Sequence, residues 1–282
     1  DYTINVGTLV GWNGSNSTVS LCSAQGKINT SEFDPNAGGL AGGNEGTITR
    51  CRTDVKITVD RIRLLGQRSV EAGGITGVND SGGLLFACHA IGSVTVEVNA
   101  SDGNSINAGG IAGYNMNNPN STIYCCIAEG NVSVTSETAN VNIYAGGLVG
   151  YHYYQGVLNN CYARGTATAS TVGITIGRIG AIVGFMEGDN VWNCYGAGAG
   201  GKGTSNCQST AYLIYNTNPG RDNIHKLMSS PVSAPGAITR YDPSATPAYG
   251  IDISRSASVS PVNFWLAGDG TWPVLDFTRN AF

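Results

Sequence analysis

The stretch AGGLVGYHYYQGVLNNCYARGTATAS, residues 145–170, opens on Gly-Gly-Leu-x-Gly, carries one cysteine and ends in alternating small residues. Its opening recurs as VGTLVGWN (6–13), AGGLAGGN (37–44), AGGITGVN (72–79), AGGIAGYN (108–115) and IGAIVGFM (179–186). The last glycines of the six copies, Gly11, Gly42, Gly77, Gly113, Gly150 and Gly184, lie 31, 35, 36, 37 and 34 residues apart. A cysteine follows each copy at 9 to 13 residues: Cys22, Cys51, Cys88, Cys126, Cys161 and Cys194. Five of these begin the pattern C-x-[A/G]-x-G, as CSAQG, CHAIG, CIAEG, CYARG and CYGAG. A fixed period of this size marks an array of small supersecondary units that bury a shared core by stacking.

The side-chain period within each unit is two. From Cys88 the count by twos gives Ala90, Gly92, Val94, Val96 and Val98; from Cys51 it gives Thr53, Val55, Ile57 and Val59. The alternate residues are mostly polar: Arg52, Asp54, Lys56 and Thr58 in one copy. Alternation places the apolar set and the cysteine on one face of a strand. A strand apolar on one face only cannot bury that face alone, so the copies are expected to stack as a β-solenoid with rungs ~4.8 Å apart. Cysteine is small and usually buried, which suits a column of one thiol per coil in a narrow interior corner. In-register side chains run parallel and do not point at one another, which disfavours disulfides between rungs. No paired CxxC spacing suggests zinc, and no metal is expected. Cys125 falls one residue off the column and is expected to face outward; it and Cys207 are the candidates for reactive or bridged thiols. Two residues after the last motif glycine stand Asn13, Asn44, Asn79 and Asn115, then His152 and Met186. Asparagine tolerates left-handed backbone and can hydrogen-bond along a stack, which predicts an asparagine ladder at a corner; the glycines are read as tight corners with positive φ.

The fold class follows as all-β, a solenoid of about six coils over residues 1–200, with 201–282 as an irregular capping segment. The repeat stops near residue 200, prolines cluster beyond it, and NFWLAGDGTWPVLDF (263–277) supplies aromatics to close an exposed end. A net charge of −4 leaves no basic footprint for nucleic acid. No run approaches the ~18 apolar residues of a membrane span. The chain opens at Asp1 without an initiator Met or apolar leader, as a mature or trimmed protein would.

The six GGLxGxN copies with downstream NCYARG-type strands resemble the GLUG-motif repeat proteins, bacterial extracellular proteins in which such segments recur. The resemblance is strong over 4–198 and weaker over 263–277; Thr8 and Ala181 replace a motif glycine in the first and last copies. It implies a right-handed β-solenoid at the cell surface or outside the cell, adhesive or passenger roles, possible flanking domains, and no cofactor. It transfers no catalytic residue.

HExxH, GxSxG and P-loop patterns are absent. The outward face of the cysteine strand offers the one catalytic alternative, a polysaccharide lyase or glycosidase. Asp54 and Glu129 would stand two rungs apart, ~9.6 Å, with Arg52, His89 and Arg164 around them. The simpler reading of the same residues is a solvated lattice of ion pairs. A binding reading rests on aromatic rings. The residue after the last motif glycine is Trp12, Gly43, Val78, Tyr114, Tyr151 and Phe185, and Tyr153 and Tyr154 follow in the fifth copy. Stacked rings suit sugar or protein ligands. Outward Ser/Thr pairs such as Thr166/Thr168 also admit ice binding, though Lys27 and Lys56 interrupt that surface, and a purely structural stalk is a further alternative. The expected function is adhesin-like: presentation of a rigid rod that binds a glycan or host protein.

Overall fold

The computed structural model describes residues 3–31, 34–63, 69–100, 105–116, 121–137, 141–159, 161–171, 177–187, 191–192, 194–196 and the short pairs 202–203, 208–209, 265–266 and 274–275. The fold is all-β: parallel strands stack as a β-solenoid, with no helix among the described residues. One repeat shows the plan. Pro35–Gly38 lies in a first sheet, Ala41–Asn44 in a second, Thr47–Thr49 in a third and Arg52–Arg63 in a fourth. The first sheet holds seven strands, and the second and third hold six each, so every motif copy contributes to each sheet. Register keeps each motif position above itself: Ala37 pairs Ala72, Asn79 pairs Asn115, and Leu85 pairs Ile123.

Burial follows the period of two along the fourth sheet. Thr53, Val55, Ile57 and Val59 are buried, while Arg52, Asp54 and Lys56 are exposed. Val94, Val96 and Val98 extend the same column, as do Val132 and Val134. Motif residues Leu40, Ile75, Ile111, Leu148 and Ile182 pack with the cysteines in one core cluster. The Ala column (Ala37, Ala72, Ala108, Ala145) packs with the valines in a second.

The motif glycines serve a purpose other than the positive φ expected of them. Among the described residues, positive-φ glycine occurs at Gly26 and Gly82, not in the GGLxG column. The column is glycine because two strands cross too closely for a side chain. A Cβ on Gly150 would lie 2.7 Å from the Gly113 carbonyl oxygen and 2.8 Å from the Asn107 carbonyl carbon. Gly113 meets Asn107 O at 2.7 Å in the same way. Real Cβ atoms do not approach backbone at such distances, so the first and second sheets touch there, backbone to backbone.

The left-handed positions belong instead to residues just before the cysteines. Leu21, Arg50, Ala87 and Cys125 have φ of 54°, 53°, 52° and 53°. This corrects the expectation for Cys125. A left-handed residue interrupts strand alternation, so parity counted through it fails, and Cys125 is fully buried in the cysteine cluster. The same corner gathers Phe86, Tyr124, Ile127 and Tyr162 into that cluster, all nearly inaccessible although Ile127 and Tyr162 sit on the outward parity. Phe86 and Tyr124 stack at 5.7 Å. Cys207 and most of 201–282 lie outside the described residues; within that segment Trp265 pairs antiparallel with Leu275.

Candidate functional site

Where the first and second sheets meet along the glycine column, their outward side chains line a groove that follows the rod. One wall is the residue preceding each A-G-G or its equivalent: Asn5, Asn36, Glu71, Asn107, Tyr144 and Arg178, stacked in register. The other is the column Trp12, Gly43, Val78, Tyr114, Tyr151 and Phe185.

The two halves of the groove differ. In the later half the rings close on each other. Tyr114 and Tyr151 stack at 4.8 Å with planes 13° apart, and Phe185 follows at 5.0 Å from Tyr151. Tyr144 reaches across from the opposite wall, 5.2 Å from Tyr151 and 4.9 Å from Phe185. Arg178 caps Phe185, its guanidinium carbon 3.7 Å from the ring centroid, a cation–π contact. Tyr153 meets Tyr114 and Tyr151 edge-on, and Tyr154 meets Tyr153. The Tyr151 hydroxyl donates to Glu187 Oε1 at 2.8 Å. Burial, with that acceptor, pushes the Tyr151 phenol up, and burial also raises Tyr114 and Tyr144. Both faces of Tyr151 are therefore occupied by rings.

In the earlier half the column lacks rings at Gly43 and Val78, and a cleft of about 620 Å³ opens between Trp12 and Tyr114. Its polar side carries Asn36, Glu71, Asp34 and Asp80. Glu71 is 7% exposed. Its Oε1 accepts from Asn107 Nδ2 at 3.0 Å, and burial holds its carboxyl well above the ordinary value of 4.5. Glu71 Oε2 has no hydrogen-bond partner among the described residues. Asn36 Nδ2 donates to Asn5 Oδ1 at 2.8 Å. The sequence reading missed the whole Asn36–Arg178 wall. The signal was the residue before each A-G-G, outward by parity and variable from copy to copy.

Behind the groove lies the asparagine ladder. Asn13 donates to Asn44 at 2.7 Å, Asn44 to Asn79 at 2.7 Å, and Asn79 to Asn115 at 2.8 Å. The second amide hydrogen spans the local turn, as from Asn44 to Gly46 O at 3.1 Å and from Asn79 to Gly83 O at 3.0 Å. None of the four asparagines is left-handed. His152 takes the fifth rung, with Asn115 Nδ2 3.2 Å from its Nδ1. Asn115 donates to Nδ1 in the tautomer that carries its proton on Nε2, an atom without a hydrogen-bond partner among the described residues. Burial lowers the His152 pKa to about 4, opposed by a backbone hydrogen bond at Gly156.

Among the described residues, Cys22, Cys51, Cys88, Cys126 and Cys161 are thiols outside any disulfide, and all but Cys22 are buried, as are Cys125 and Cys194. Cys51, Cys88, Cys126 and Cys161 each donate to the carbonyl two residues earlier, at 3.1–3.4 Å. Burial leads the upward shift of Cys88, Cys126 and Cys161, while a hydrogen bond with Cys88 leads it for Cys51. Such thiols stay protonated and unreactive.

On the outer face of the fourth sheet, Glu129 Oε1 accepts from Arg164 Nη1 at 2.9 Å, and Glu129 Oε2 lies 3.6 Å from His89 Nε2. Gln25 reaches Asp54 at 3.4 Å. Arg52 pairs beside His89 in register. Burial lowers the His89 pKa, and Glu129 opposes that shift. Glu129 is thus paired with Arg164 through Oε1, while its Oε2 stands 3.6 Å from His89 Nε2 without a hydrogen bond between them.

Residues 141–168 match the family model described as the GLUG motif. The chain carries a GLUG motif. The matched span runs from Val141 through the first-sheet strand, the glycine corner, Tyr151, His152 and Cys161 to Thr168, most of one turn of the solenoid. No curated protein and no solved structure matches the chain. Among the described residues no helix is long and apolar enough to cross a membrane.

Proposed function

We propose that this GLUG solenoid is a bacterial surface or secreted protein that works by binding, with adhesion to a glycan or an extracellular protein as its role. The reading rests on the ring-lined groove. At its open end the groove is lined by the rings of Trp12 and Tyr114 beside the amide of Asn36, and Trp12 stands 40% exposed. A rigid rod with an aromatic, amide-bearing groove along one side suits recognition more than chemistry. The carboxylate that a hydrolytic reading needs, Glu129, is paired with Arg164.

The test is an array of glycans and matrix proteins probed with the purified chain, alongside a reducing-sugar release assay on polysaccharides. Binding without product release is expected, and Tyr114→Ala should weaken it at least tenfold. Product release would overturn the reading and send mutagenesis to Asp54 and Glu129. Silence on every arrayed ligand would also overturn it, leaving a stalk.

A further inference from the structure

We infer that the cleft between Trp12 and Tyr114 is a subsite for one neutral pyranose ring, floored by Val78 and hydrogen-bonded by Glu71. This inference rests on the glycan-binding reading above and narrows it to a place and a chemical class.

The first support is spacing. Tyr114 and Tyr151 are 4.8 Å apart with nearly parallel planes, which matches the rung repeat. Those rings therefore lie face to face along the rod, and the second face of Tyr114 turns toward the Val78 rung. At the other end the indole of Trp12 leans over Gly43, with Cη2 2.9 Å from where a Cβ would stand. From the Gly43 rung to the Tyr114 rung is two repeats, roughly 9.6 Å. Two contacts of ~3.5–4.0 Å, one on each face of a sugar ring, need ~7–8 Å. That span matches one ring stacked above the shorter Val78 side chain on the rung between.

The second support is chemical. Glu71 lines the cleft, and its Oε2 is a buried atom without a hydrogen-bond partner among the described residues. Such atoms are costly to leave unmatched, and a sugar hydroxyl matches one. Burial pushes the Glu71 carboxyl well above its ordinary value, and a carboxyl oxygen accepts from a sugar hydroxyl in either charge state. Asn36 adds an amide on the same wall, beside Asp34 and Asp80. No Lys or Arg lines the cleft among the described residues, and the two aspartates disfavour an anion. Uronic and sialic acids are excluded on that ground, and neutral hexoses are selected.

The experiment is saturation-transfer NMR with methyl α- and β-glycosides of glucose, galactose and mannose, and methyl β-glucuronide as the charged control. At least one neutral glycoside should receive saturation from the wild-type chain, and the glucuronide should receive none. Val78→Tyr continues the ring stack into the cleft and should abolish the signal with the melting temperature unchanged. Trp12→Ala, at an exposed position, removes one wall and should weaken binding at least tenfold even if the tyrosine variant misfolds. Glu71→Gln, which keeps a hydrogen-bonding amide, should retain binding within a few fold where Glu71→Ala loses at least tenfold. Binding that survives both Val78→Tyr and Trp12→Ala overturns the subsite, as does glucuronide binding equal to the neutral sugars. If array binding persists while methyl glycosides are silent, this subsite fails and the broader surface-binding reading stands.

Discussion

The asparagine ladder and the outer face of the fourth sheet share one backbone period, yet they differ in every respect that matters to evolution of a rod. In the ladder, position after position repeats the same side chain, because each amide must match the amide above and below in a dry corner. On the outer face, Ser23 stands beside Arg52, Gln25 beside Asp54 and Glu97 beside Thr135, unlike in charge and shape. Water satisfies a mismatched exposed side chain, and nothing satisfies a mismatched buried one. Repetition in a solenoid thus records where neighbouring rungs must satisfy one another without water. Variation records where the rod can acquire a function.

Gly150→Val is the strongest test of the dry side. Valine must push apart two strands whose backbones already touch, and no side chain nearby can yield. The expected cost exceeds ~4 kcal/mol, with insoluble protein or a melting temperature lowered by at least ~10 °C. A variant melting within ~3 °C of wild type would show that the first and second sheets can separate, and that the glycine column is not a contact.

His152 tests the ladder through pH. Its folded pKa of about 4 lies below the unfolded value of 6.5. Between those values the unfolded chain binds the proton and the folded chain does not, so stability falls as pH falls through this window. At pH 5 the loss reaches about 2 kcal/mol relative to pH 8. His152→Asn replaces the ring with the side chain found on the rungs below and removes the titration. Its stability should match wild type near pH 8 and exceed it at pH 5 in urea unfolding. Parallel pH profiles for the two proteins would mean that protonated His152 finds a partner in the folded state.

The repeat, the stacking and the buried column of valines were legible because period two and a period near 35 both survive in the residues themselves. What stayed hidden has local causes. Cys125 was misplaced because one left-handed residue breaks the alternation on which parity depends, and nothing about a cysteine advertises a φ of 53°. The role of the glycines was misread because a missing Cβ is the same signal whether it serves a turn or a backbone contact. Glu71 was passed over because the first-sheet wall changes from Asn to Glu to Asn to Tyr to Arg and so shows no motif. It became a candidate only when the bend at the glycine column brought that wall opposite Trp12 and Tyr114, a juxtaposition absent from either strand alone.

The smallest expected effect lies on the wet side, between Glu129 and Arg164. Their side chains are 29% and 46% exposed and 2.9 Å apart, a well-formed pair in contact with solvent. Exposed pairs of this kind contribute ~0.2–1 kcal/mol, because Coulomb attraction is screened and two long side chains lose freedom. A double-mutant cycle with Glu129→Gln and Arg164→Gln should return a coupling in that range and shrink in 1 M salt. His89 stands 3.6 Å from the other carboxylate oxygen and burial holds its pKa below 6.5, so the coupling should grow slightly only as the pH falls below 6.5 and the imidazole gains charge. A coupling above ~2 kcal/mol, insensitive to salt, would move this pair to the dry class and restore the outer face as a place where carboxylate chemistry is held in a fixed geometry.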